Sequence, residues 1–143
     1  MPESLLLKQE KLNDEEYEIM KNHSEKGYRL TLLIPELSHI CRGILTHHER
    51  WDGKGYPLGL KGEEIPIVAR IISVVDAYDT MTHNKIYKKA KAKEEAINEL
   101  RRCAGTQFDS NIVEAFCNLI EMQKNSLKPS FNNNGFTLEV QKI

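Results

Sequence analysis

The sequence predicts an all-α fold, and three observations carry the prediction. Apolar residues recur at three- and four-residue steps through most of the chain, the pattern of helices that bury one stripe. Strict alternation is missing until the run FTLEVQ close to the end. Glycine and proline concentrate in one segment, WDGKGYPLGLKGEEIP, which holds four of the eight glycines and two prolines and reads as a long loop between two helices. Loops of this length inside a compact domain are often functional.

Each helix has its own signal. Asn13 precedes Asp14, Glu15 and Glu16, a cap followed by acids that suit a helix N-terminus, and Tyr17, Ile19 and Met20 supply the apolar side. This short helix is expected to end near His23. A second runs from Ser24 through Tyr28, Leu30 and Leu33 to the break at Pro35, and a third from Glu36 to His48, with Leu37, Ile40, Cys41, Ile44, Leu45 and His48 as its inward stripe. Pro66 suits the first turn of the next helix, whose body IVARIISVVDAYDTM is the most apolar stretch and therefore the central element. Another helix spans Lys93 to Cys103. Asp109 or Ser110 caps the last, with Ile112, Val113, Phe116, Leu119 and Ile120 facing the core. These elements predict one helical domain over residues 1–125, followed by a polar, turn-rich tail over 126–143 that is either disordered or a short strand.

Composition narrows the functional classes. At 143 residues with 40% hydrophobic side chains the chain fits one domain with a modest core. Twenty basic residues face 21 acidic ones, so no global basic field would hold DNA or RNA by phosphate neutralisation, and an anionic ligand must be gripped locally. Cys41, Cys103 and Cys117 are odd in number and lie in apolar periodic stretches, which fits reduced thiols in a cytoplasmic protein. There is no apolar run long enough for a membrane span and no leader pattern in MPESLLLKQEK. The expectation is a soluble, cytoplasmic chain without a membrane partner.

Four side chains stand out chemically. Asp76 lies among Ile71, Ile72, Val74 and Val75 in the helix expected to be most buried, where an ionised carboxylate needs a cation, hydrogen-bond donors or a structural salt bridge. Asp79 lies one turn further on. His47 and His48 end a predicted helix, where adjacent side chains diverge by about 100°, so they would serve two neighbouring ions more easily than one. His23 stands at the expected helix junction, where capping explains it as well as ligation does. Histidine and carboxylate ligands suit manganese, iron or zinc acting on phosphate esters. Lys85, Lys88 and Lys89 follow Asp76 and are either phosphate contacts or a solvated basic stretch. No nucleophile elbow or phosphate-binding loop motif is present.

The run HHERWDGKGYP, His47 to Pro57, resembles the HHE-x-x-[DN]-G-x-G-Y-P signature of the HD-GYP family of bacterial cyclic di-GMP phosphodiesterases, in full and with Glu49, Asp52, Gly53, Gly55, Tyr56 and Pro57 in place. ARIISVVDAYDTMT and AGTQFDSNIVEAF are similar to two further family segments. The resemblance covers Met1 to Phe116. It implies an HD-superfamily helical bundle and a bi- or trinuclear metal site in which His23, His47, His48 and Asp76 are ligands, with iron or manganese favoured and zinc an alternative. It implies cyclic di-GMP as substrate and a signature loop beside the active site that also contacts diguanylate cyclase domains.

Two departures bear on function. The family's D-R-P-Y-R-K-A is here Asn84, Lys85, Ile86, Tyr87, Lys88, Lys89 and Ala90, so point charges at the substrate contacts Lys85 and Lys88 replace an arginine fork on phosphate. The family's His-Asp dyad lies in a segment that would precede Met1, so the resemblance leads to the expectation that this chain is the C-terminal part of such a domain, truncated at its N-terminus. It is expected to be inactive or very weak alone and, with helix faces uncovered, to self-associate. The rival readings are a docking module for a cyclase domain and an HD phosphohydrolase of another nucleotide.

Overall fold

The computed structural model describes residue 8, residues 10–83 and residues 90–126. Among these the chain forms five α-helices: α1 (Asp14–Leu32), α2 (Cys41–Thr46), α3 (Ile67–Thr82), α4 (Lys93–Arg102) and α5 (Ser110–Ser126), with 3-10 turns at Pro35–Leu37 and Gly62–Glu64. The described residues contain no strand; an isolated bridge joins Ala104 and Phe108. The all-α prediction holds, whereas the tail and the basic run with Lys85 and Lys88 lie outside the described residues.

α1 begins as its sequence dictates. The Asn13 side chain accepts from the Glu16 amide at 2.8 Å while Glu16 accepts from the Asn13 amide at 2.9 Å, a reciprocal capping box. The expected break at His23 does not occur: one helix runs through to Leu32. Ser24 is fully buried within it, and no proline stands between His23 and Leu32 to interrupt the ladder. The predicted 36–48 helix is also corrected. After the Pro35–Leu37 turn only Cys41–Thr46 is α-helical, and His47 is the C-cap, with its ring nitrogen bonded to the Ile44 carbonyl that the helix would otherwise leave for the next turn.

α2 lies between α1 and α3, and two glycines set its distance from each. A Cβ on Gly27 of α1 would stand 2.9 Å from the Ile44 side chain, and one on Gly43 of α2 would stand 2.8 Å from Val68. On its other side α3 packs on α4 and α5. The core there comprises Val74, Ile97, Leu100, Phe108, Val113 and Cys117, with Tyr78, Met81, Phe116 and Ile120 against it. Burial of such side chains is the main favourable contribution to folding. α3 is not covered all round, however. Ile67, Ile71 and Val75 are 44–49% exposed, and Asp76, expected in a buried setting, is exposed as well. Only the flank carrying Ala69 and Val74 is fully buried.

α3 and the start of the last helix are joined by an ion pair. Arg70 of α3 meets the Asp109 carboxylate at 2.8 Å, with Asp109 only 4% exposed, and the same guanidinium lies 5.8 Å from the centre of the Trp51 ring. Asp109 also accepts from the Asn111 amide at 2.9 Å, so it is the cap of α5, as one of the two predicted choices. Removing one partner of a buried pair leaves the other charge uncompensated, which costs about 3–5 kcal/mol. Asp109→Ala is expected to destabilise the chain by about 3 kcal/mol, and Asp109→Asn, which keeps a capping oxygen, by less. Urea titration followed by Trp51 emission measures both; equal effects would mean that the capping oxygen contributes nothing beyond the charge.

Candidate metal centre

The chain brings three histidines to one point. His23 comes from the middle of α1, His47 and His48 from the end of α2, and one ligand nitrogen of each lies within 4.8 Å of the others. Because α2 stops at Thr46, the His47 and His48 rings do not diverge as helical neighbours would; their centroids are 4.0 Å apart. The separate-ion expectation for the pair is therefore corrected: both nitrogens face one common space.

Tautomers follow from the hydrogen bonds. Nδ1 of His47 lies 2.6 Å from the Ile44 carbonyl, and Nδ1 of His23 lies 2.5 Å from the Met20 carbonyl. A carbonyl only accepts, so each Nδ1 carries a proton, and in the neutral ring each Nε2 offers a lone pair. Those two Nε2 atoms face each other at 3.4 Å, and His48 Nε2 stands 2.9 Å from that of His23. A proton on His48 bridges one gap, which leaves His23 and His47 as two acceptors with nothing donated between them. A cation in that space satisfies all three. The carbonyl bonds behind the rings are the arrangement that fixes metal-ligating histidines. Burial, followed by the neighbouring His47 and His48's contact with His23, pushes the His48 pKa down to about 4, so this ring is neutral and available for coordination at neutral pH.

Asp76 is not part of that trio. It lines, with His47, His48, Glu49 and Arg50, a cleft of about 320 Å³ that Ser73, Glu99, Cys103 and Gln107 also line. The cleft thus joins the histidines to the exposed carboxylate of α3. Glu99 and Cys103, one turn apart on α4 and its cap, escaped the sequence reading; their i,i+4 spacing was the available signal.

The signature loop closes one side. Arg50 holds Asp52 through two hydrogen bonds of 3.1 and 2.8 Å, and this guanidinium contact brings the Asp52 carboxyl down to about 2. Trp51 and Asp52 donate their amides to the carbonyls of Gln107 and Thr106, and Gly53 donates to Arg50, so the loop is tied to the turn before α5. Gly55 passes so close to the preceding strand of chain that a Cβ would stand 2.4 Å from the Arg50 nitrogen and 2.6 Å from the His48 oxygen. Tyr56 then stacks on His48, with centroids 5.0 Å apart and planes at 27°, and Pro57 follows through a cis peptide. Burial, with Tyr17 and Asp76 adding to it, pushes the Tyr56 phenol up to about 12. Tyr17 meets Tyr56 edge-on, and Lys21 lies over both rings; sequence reading gave neither residue a part in the site. No helix among the described residues is long and apolar enough to cross a membrane.

Comparison with known proteins accords with this geometry. A family model described as HD domain matches residues 1–112. A cyclic di-GMP phosphodiesterase of Thermotoga maritima is 44% identical over 121 residues, 83% of this chain and 33% of that protein. A probable cyclic di-GMP phosphodiesterase of Vibrio cholerae is 37% identical over 131 residues, 86% of this chain and 29% of that protein. A crystal structure of a cyclic GMP-AMP-specific phosphodiesterase of V. cholerae superposes with a TM-score of 0.64 at 26% identity, over 82% of this chain and 28% of its own. The chain spans about a third of the length of the curated relatives it matches. With the matched family model, the helical architecture and the intact HHERWDGKGYP loop in agreement, the chain belongs to the HD-domain family and is of its HD-GYP type.

Proposed function

We propose that this chain is part of an HD-GYP-type, metal-dependent phosphohydrolase that acts on cyclic di-GMP, and that His23, His47 and His48 hold a divalent ion with Asp76 as a further ligand. The single observation that carries the reading is the convergence of three Nε2 atoms, two of them with their protons committed to carbonyls behind them. Three neutral imidazoles suit iron, manganese or zinc. A bound ion would contribute charge neutralisation at the phosphoryl oxygens and activation of water. The chain's own residues orient and enclose: Tyr56 walls His48, the Arg50–Asp52 pair stiffens the loop, and Lys85 and Lys88 are proposed to neutralise substrate phosphate.

The relatives' names support cyclic di-GMP, while the V. cholerae structure, named for cyclic GMP-AMP, favours a second reading within the cyclic dinucleotides. A panel of the two dinucleotides and linear pGpG distinguishes them. We also propose that the exposed α3 residues Ile67, Ile71 and Val75 are where copies of this chain associate, and that the signature loop engages a diguanylate cyclase domain.

Three outcomes are expected. The wild-type chain takes up zinc or manganese in calorimetry, His48→Ala weakens uptake by about tenfold or more, and Asp76→Ala weakens it less; identical binding by both variants would refute the ligand set. Protonation should act on the metal-free fold. The folded pKa of His48, about 4, lies below the ordinary 6.5, so acidification protonates the unfolded chain first. Its contribution to stability is full above pH 6.5 and is lost as pH falls toward 4. Melting temperatures of chelator-treated protein are expected to fall across that window, with a shallower slope in His48→Asn.

For turnover, a three-histidine centre with one exposed carboxylate supplies part of what a two-ion hydrolysis needs, and partial removal of a unit that acts together abolishes most of its rate enhancement. The 143 residues alone are expected to hydrolyse cyclic di-GMP at background, and a fusion placing a His-Asp segment before Met1 to restore product formation with manganese or iron. Robust turnover by the short chain, or an inert fusion that binds two metals, would overturn this.

A further inference from the structure

Glu49 follows the two histidines directly, where a carboxylate would ordinarily be read as another ligand or as a base. The structure turns it the other way. It is 4% exposed, and one oxygen accepts from the amides of Leu58 at 2.6 Å and Gly59 at 3.1 Å while the other accepts from Leu60 at 3.1 Å. Three backbone donors on one buried carboxylate satisfy its oxygens and are fixed by it in turn. The segment from Gly55 to Leu60 is therefore pinned to the His48–Arg50 backbone at both ends: by the Tyr56 amide on the His48 carbonyl at 3.3 Å and by the Glu49 carboxylate beyond Pro57. Between the two pins the Tyr56 ring lies on His48.

His48 needs that support more than its partners do. The rings of His23 and His47 are each oriented by a carbonyl behind Nδ1. Among the described residues no carbonyl takes the Nδ1 of His48; its ring is held by the contact of its Nε2 with His23 and by packing on Tyr56 and His47. We propose that Glu49 is a positioning residue for His48: by clamping the amides of Leu58, Gly59 and Leu60 it holds the Tyr56 ring against His48 and so sets where His48 Nε2 points. This rests on the metal reading of the histidine trio for one of its two readouts.

The test uses the full chain and the variants Glu49→Gln, Tyr56→Ala, Tyr56→Phe and the double variant Glu49→Gln/Tyr56→Ala. In Glu49→Gln an amide group would meet a backbone N–H where an oxygen now accepts. The first readout needs no metal. The His48 ring protons, assigned with His48→Asn, are expected upfield in the wild type through the Tyr56 ring current, and this shift should be lost in Glu49→Gln and kept in Tyr56→Phe. The second is zinc affinity by chelator competition. Glu49→Gln and Tyr56→Ala should each lose about tenfold, the range seen when supporting partners of metal ligands are removed, and the double variant should lose no more than either, since coupled residues are not additive.

A Glu49→Gln chain with the wild-type His48 shift, or with wild-type zinc affinity, would reduce Glu49 to a loop staple and overturn the proposal. So would losses that multiply in the double variant. If the wild type binds no zinc, the metal reading fails, and the ring shift alone decides the positioning role. Should Glu49→Gln not fold, Glu49→Asp, which keeps the charge on a shorter arm, is read by the same shift.

Discussion

The geometry of this chain depends on how closely α2 is held between its neighbours. Six residues make a helix with little stability of its own, so the position of Cys41–Thr46 is decided by what it touches. Gly27 lets α1 approach Ile44, and Gly43 lets α2 approach Val68 at distances where any Cβ would collide. The consequence is felt at the end of α2. His47 and His48 emerge there beside His23 on one side and open onto the cleft with Asp76 on the other. A methyl group at either glycine would force the Ile44 or Val68 side chain to shift.

The second constraint is electrostatic, and it organises the loop. Buried or half-buried charges in this region are each matched: Glu49 by three amides, Asp52 by the Arg50 guanidinium, Asp109 by Arg70. Unmatched, any of them would cost more than the loop's few apolar contacts return. Matched, they let a glycine-rich segment of high conformational entropy adopt one shape. The histidines stand apart from this pattern. Their nitrogens face one another across one common space, an arrangement that could hold a cation.

The exposed side of α3 fits the same view. Ile67, Ile71 and Val75 stand in solvent beside Asp76, although the helix is the most apolar in the chain. Burial in this chain runs along the opposite flank, where Ala69 and Val74 meet α2, α4 and α5.

Much of this was legible in the residues themselves. Periodicity determined the helical character seen among the described residues, Asn13 and Glu16 determined where α1 begins, Asp109 or Ser110 where α5 begins, and the glycines and prolines of 51–66 the long loop, because each of these depends on local backbone preference or on a side chain within a few positions. The HHERWDGKGYP run pointed to the family and to His47 and His48. Only the tertiary structure decided that α1 continues through His23, that α2 stops before the histidine pair, that Asp76 is exposed, and that Glu49 faces away from the histidines toward Leu58, Gly59 and Leu60. Those outcomes depend on residues 9 to 25 positions apart meeting in space, and on which flank of an apolar helix finds a neighbour, and neither leaves a trace in local sequence.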